Sequence, residues 1–103
     1  MLAAIDGIES AIIGKSFADY QDSWLLRLAT ERGIEIISEA SRGLPIEAKA
    51  LRSDVPWQRI SAIGNVLRHE YHSLADQVLW GVLIDELPLL KIALLEIADS
   101  YQS

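Results

Sequence analysis

Apolar residues recur along this chain at spacings of three and four, and nowhere do β-branched residues alternate with polar ones over a useful length. That pattern predicts a domain made almost wholly of helices. Leu2, Ile5, Ile8 and Ile12 mark a first amphipathic helix, which Gly14 is placed to end. Ser16 and Asp19 offer caps for a restart. A second helix is expected from about Tyr20 to Arg42, carrying Trp24, Leu25, Leu28, Ala29, Ile36, Ile37 and Ala40 on its apolar side. Gly43 and Pro45 then close it. The segment LPIEAKALRSDVP reads as a connector with at most a short helical turn. Pro56 opens a third long helix with the stripe Ile60, Ile63, Leu67 and Tyr71. Ser73 and Asp76 suggest a break, Val78, Leu79, Val82 and Leu83 continue as a fourth helix, and Pro88 begins the last. Residues 1–103 are thus expected to form one all-α bundle of four to five helices. Trp24, Trp57 and Trp80 read as packing residues because each has apolar neighbours at helical spacing.

Composition narrows the possibilities. Half of the 103 residues are hydrophobic, more than a domain of this size can bury, so self-association is the expected outlet. Charges interrupt the apolar runs, as Lys91 does in LPLLKIALLEI, which argues against a membrane-spanning helix. The N-terminus lacks a basic, then apolar, leader pattern, and the expected location is cytoplasmic. With no cysteine, disulfides and thiolate chemistry drop out. The net charge of −6 repels phosphates, yet seven of the nine basic residues lie between positions 27 and 69. Only a local basic patch could therefore meet a nucleic acid.

Candidate chemistry concentrates in VPWQRISAIGNVLRHEYHSLADQVLW, which holds both histidines. Asn65 and His69 stand at i and i+4, on one helix face. A histidine that exchanges a proton near neutral pH, next to a guanidinium that can hold a phosphate, supplies the parts for RNA cleavage. The same histidine and arginine also fit a merely solvated face. His69, His72 and Asp76 could instead form a metal face, although such spacing arises easily by chance. Tyr71 falls in phase with the apolar stripe.

Four separated segments carry a family resemblance: GKSFADY, TERGIEIISEASRGLP, DVPWQRISAIGNVLRHEYH and VLWGVLIDELPLL. Together they resemble the HepT-like toxins of the HEPN superfamily over nearly the whole chain. The family hallmark runs from an arginine, commonly followed by asparagine, through three more residues to histidine, one residue and tyrosine. Asn65, His69 and Tyr71 occupy their places, and Gly64 stands where the arginine would be. The resemblance implies an all-helical homodimer with two motifs facing across a cleft, and a metal-independent endoribonuclease that needs no cofactor and acts on RNA rather than DNA. In that chemistry His69 moves the proton as a ribose 2′-hydroxyl attacks the adjacent phosphate, while Asn65 orients the backbone or the histidine. The resemblance also implies a partner, a MntA-like nucleotidyltransferase antitoxin that transfers AMP to the motif tyrosine, here Tyr71.

Gly64 changes the expectation. Losing one charged transition-state contact typically costs on the order of a hundredfold or more in rate. Arg68, four residues on, could send its guanidinium into the space that glycine leaves. The sequence therefore supports a HepT-like ribonuclease with catalysis weakened or lost. The alternatives are a catalytically inactive HEPN module that binds a nucleotidyltransferase partner or a nucleotide, and a plain helical dimerisation domain.

Overall fold

The computed structural model describes residues 1–69 and 73–102, with side chains described outside positions 65–75 and 102. In chain order the elements are α1 (Leu2–Ile12), α2 (Phe17–Asp22), α3 (Trp24–Arg42), α4 (Ile46–Ala50), α5 (Trp57–His69), α6 (Ser73–Gly81), a π-helical turn (Val82–Glu86) and α7 (Leu87–Gln102). Among the described residues there is no strand. Three long helices, α1, α3 and α5, and one rod formed by α6, the π turn and α7 make an all-α bundle. Short α2 and α4 fill the corners.

The turns follow from local chemistry. Gly14 takes φ +73°, a conformation that a Cβ would strain, and so ends the first helical run. Ser16 and Asp19 close a capping box on α2: the Asp19 N–H donates to Ser16 Oγ at 3.1 Å and the Ser16 N–H to Asp19 Oδ2 at 2.9 Å. The expected helix over positions 20–42 is in fact two. Ser23 leaves the helical conformation, accepts from the Leu26 N–H at 3.1 Å and starts α3 afresh, so Tyr20 belongs to α2. Gly43 ends α3 without entering the left-handed region.

The core joins Ile5 and Ile8 of α1, Ile34 and Ile37 of α3, and Ile60 of α5 to Leu79, Leu83, Leu87, Leu90, Ala93 and Ile97 of the last rod. Helix α3 turns Thr30, Ile34, Ile37, Ser38 and Ser41 inward. Trp24, Leu25, Leu28 and Ile36 consequently face outward, and Trp24 is 68% exposed, against its expected role in the core. Trp57 is buried as expected. Trp80 packs with Phe17 and Tyr20, which fastens α2 to α6.

The break expected at Pro88 is absent. A proline cannot donate to the carbonyl four residues back and its ring crowds that oxygen. The helix absorbs the defect by widening: the Leu87 N–H reaches back five residues to the Val82 carbonyl, and the rod runs on.

Candidate functional site

Helix α5 carries the candidate residues, and its start is anchored twice. The Trp57 indole N–H donates to the Lys49 carbonyl at 3.2 Å and to the Arg52 carbonyl at 3.0 Å, which ties α5 to the end of α4. Arg52 in turn bridges Asp54 at 2.9 Å and Glu96 at 2.6 Å, locking the loop before α5 onto α7. The Arg52 guanidinium holds the Asp54 carboxyl below the usual aspartate range.

The middle of α5 lies against α3 through a cluster of small residues. Ser38 is fully buried and its hydroxyl serves three partners. It donates to the Ser61 carbonyl at 2.9 Å, accepts the Gly64 N–H at 3.2 Å, and accepts Arg42 Nη2 at 3.3 Å. Ser41 donates to the Ser38 carbonyl at 2.9 Å and meets the Ser61 hydroxyl at 3.0 Å. Two helices come this close only where side chains are small, and the cluster satisfies hydroxyls that burial would otherwise leave costly.

Gly64 sits at the centre of this contact. A Cβ there would lie 2.8 Å from Ser38 Oγ, 3.2 Å from Ser38 Cβ and 3.4 Å from Arg42 Nη2. The glycine is therefore matched to its surroundings by packing. Ser38 and the Arg42 guanidinium adjoin this position, and the Arg68 side chain expected to reach toward it lies outside the described residues.

Asn65, Arg68 and His69 lie on the last turns of α5, and their side chains fall outside the described residues. Tyr71 and His72 fall outside them altogether. The α5 backbone places positions 64, 65, 68 and 69 within two turns of one another. The metal reading of His69, His72 and Asp76 also falls largely outside the description. Asp76 itself lies 3.7 Å from Arg27, and no group of three potential metal ligands occurs among the described residues.

Beside the serine cluster runs a groove of about 350 Å³ lined by Arg42, Lys49, Trp57, Gln58, Ser61 and Ala62. Sequence reasoning overlooked Ser38, Arg42 and Lys49. The pairing of small residues at 38 and 41 with those at 61 and 64, each three apart, was the available signal for the crossing. Nothing in the pattern marked Arg42.

A second buried polar feature lies at the junction of α2, α3 and α6. Tyr20 is fully buried, and among the described residues its hydroxyl has no hydrogen-bond partner. The neighbouring Thr30 hydroxyl is spent on the carbonyls of Leu26 and Arg27. Burial pushes the phenol up to about 12, with Asp76 and Glu31 adding to the rise and Thr30 and Arg27 opposing it.

Comparison with known proteins gives a consistent picture. A family model described as Ribonuclease HepT-like matches residues 1–97. A protein of Caldanaerobacter subterraneus subsp. tengcongensis named as a candidate RNase is 36% identical over 84 residues, 82% of this chain and 75% of its own. A protein of Thermococcus cleftensis named as a probable ribonuclease HepT is 32% identical over 88 residues, 85% of this chain and 80% of its own. No solved structure matches the chain significantly.

Proposed function

Because the chain belongs to the Ribonuclease HepT-like family, we propose that it is an endoribonuclease and the toxin of a toxin–antitoxin pair. The observation that carries this reading is the family match across residues 1–97, a stretch that includes the whole of α5 with Asn65 and His69, and the motif tyrosine Tyr71 beyond it in the sequence. In the proposed reaction a ribose 2′-hydroxyl attacks the adjacent phosphorus, a P–O2′ bond forms, and the P–O5′ bond breaks. His69 takes or delivers the proton, Asn65 orients it, and Arg68 offsets charge on the phosphate in place of the arginine that Gly64 replaces.

Control would come from a MntA-like nucleotidyltransferase. The Tyr71 hydroxyl would attack the α-phosphate of ATP, leaving AMP on the tyrosine and releasing pyrophosphate. An added phosphate and nucleoside beside His69 would repel RNA by charge and bulk together. Active chains would pair as homodimers, for which the outward-facing Trp24 and Leu25 on α3 and Leu89, Ile92 and Leu95 on α7 provide apolar surface. No helix among the described residues is long and apolar enough to cross a membrane; the proposed place of action is the cytoplasm.

The second reading, an inactive HEPN module that binds a nucleotidyltransferase or a nucleotide, is favoured by Gly64 alone. Expression in bacteria with and without the nucleotidyltransferase separates the two. The ribonuclease reading expects growth arrest and RNA cleavage by the chain alone, loss of both in His69→Ala, and relief by the partner that Tyr71→Phe abolishes. Intact RNA under every condition would leave the binding module.

A further inference from the structure

Among the described residues, five cations are held by carboxylates: Arg27 by Asp76, Arg32 by Glu35, Arg52 by Asp54 and Glu96, Arg59 by Glu86, and Lys91 by Asp6 and Glu9. Arg42 and Lys49 belong to no ion pair among the described residues, and both line the groove of about 350 Å³ beside α5. In a chain of net charge −6, two such cations on one groove form a local exception to the repulsion of phosphates.

The groove is also organised to hold Arg42 in place. Arg42 Nη2 donates to Ser38 Oγ at 3.3 Å and lies 3.4 Å from where a Cβ at position 64 would stand. A guanidinium has five N–H donors, so one bond to a buried serine leaves most of its fork for a ligand. Trp57, tied by its indole N–H to α4 and the loop after it, makes a fixed wall, and one of the two carbonyls that accept from it belongs to Lys49.

We propose that Arg42 and Lys49 bind the phosphodiester backbone of the RNA substrate, next to the phosphate that is cut. This inference rests on the ribonuclease reading above. On α5 the groove residues Gln58, Ser61 and Ala62 are followed at helical spacing by positions 65, 68 and 69. From 62 to 69 the helix rises roughly 10 Å, at about 1.5 Å per residue. A strand lying in the groove would thus be registered with a neighbouring phosphate on Arg42 and Lys49 while the scissile one reaches the end of α5. Both residues are positioning residues that touch the substrate away from the reacting atoms.

The test uses the full-length chain with His69→Ala, so that RNA survives, and a fluorescent single-stranded RNA oligonucleotide read by anisotropy across a salt series. Each phosphate contact in single strands contributes a slope of about 0.7 in log affinity against log salt. Arg42→Gln with Lys49→Gln is expected to weaken binding about tenfold or more at low salt and to flatten the slope by about 1.4. Lys15→Gln, which lies beside the start of α3 and outside this groove, should change neither beyond the general charge effect. A structural role for Arg42 would alter melting but leave the slope of the folded protein unchanged, and circular dichroism reports the melting separately.

If RNA binds and is cut by the parent but the double variant keeps the same affinity and slope, the proposal is wrong while the ribonuclease reading stands. If the His69→Ala chain binds no RNA, the ribonuclease reading falls first. Competition by ATP or AMP that depends on Arg42 and Lys49, without any effect on RNA, would show a mononucleotide site and overturn the RNA assignment.

Discussion

Gly64→Ala tests whether the glycine in the motif is set by packing. Two effects oppose each other. Alanine in a helix interior is favoured over glycine by about 1 kcal/mol. Against that, the new Cβ falls 2.8 Å from Ser38 Oγ, an oxygen in a fully buried side chain with three hydrogen bonds. Overpacking costs about 1–3 kcal/mol. Turning Ser38 away instead takes its buried hydroxyl from the Ser61 carbonyl, the Gly64 N–H and Arg42, at about 1–3 kcal/mol for a buried unsatisfied group. The packing term wins, and the expected net loss is about 1–2 kcal/mol, or roughly 5–15 °C in Tm for a domain of this size. Urea denaturation followed by circular dichroism measures it. Ser38→Ala removes the oxygen nearest the new methyl and leaves a Cβ at 3.2 Å, so in that background Gly64→Ala should be close to neutral. A favourable coupling of about 1–2 kcal/mol between the two sites follows. If Gly64→Ala alone stabilises the chain by the full helix-propensity difference, the close crossing of α3 and α5 does not exist as described. The same geometry makes Gly64→Arg more disruptive still, so restoring the arginine of the motif should cost stability whatever it does for catalysis.

Other outcomes follow from the same structure. Ser16→Ala removes one half of the capping box on α2 and should cost about 1 kcal/mol in urea denaturation. The Asp19 carboxyl, held below its usual range by the Ser16 N–H, and Asp54, held down by Arg52, have folded values below the unfolded ones. Their stabilisation is complete above the ordinary carboxylate value of 3.8 and is lost as pH falls below it. Asp54→Asn should flatten that acid loss in a pH series of urea midpoints. Tyr20 has the opposite sign: its folded value is raised from 10 to about 12, so stability falls as pH climbs between them. Tyr20→Phe should remove that alkaline loss at little cost near neutral pH, because the hydroxyl has no partner among the described residues. An unchanged alkaline limb in Tyr20→Phe would place the sensitivity elsewhere.

Much of the fold was legible in apolar spacing. Ile5, Ile8 and Ile12 gave the buried side of α1, and Gly14, Ser16 and Asp19 gave the turn after it, because those signals act within a few residues. The failures came where distant contacts decided. Ser23 splits the second helix through a cap that competes with continuation, and apolar Trp24 and Leu25 then turn outward because small Ser38 and Ser41 are what let α5 approach α3. Pro88 promised a break, yet a widened turn at Val82–Glu86 carried the helix through. At the candidate site, the order of Asn65, His69 and Tyr71 was legible as a motif, and their side chains lie outside the described residues. Gly64 read as a lost arginine, and only the crossing partner on α3 explains why a glycine fits. Arg42 and Lys49 were invisible as a pair because they meet through the fold, without any local pattern.

The central claim is that this chain cleaves RNA through His69, and the ends of the products test it most directly. Incubation of purified chain with RNA, with a His69→Ala control, should yield fragments ending in 2′,3′-cyclic phosphate and 5′-hydroxyl in the first case only. Intact RNA with the parent chain, or equal cleavage by His69→Ala, would contradict the account.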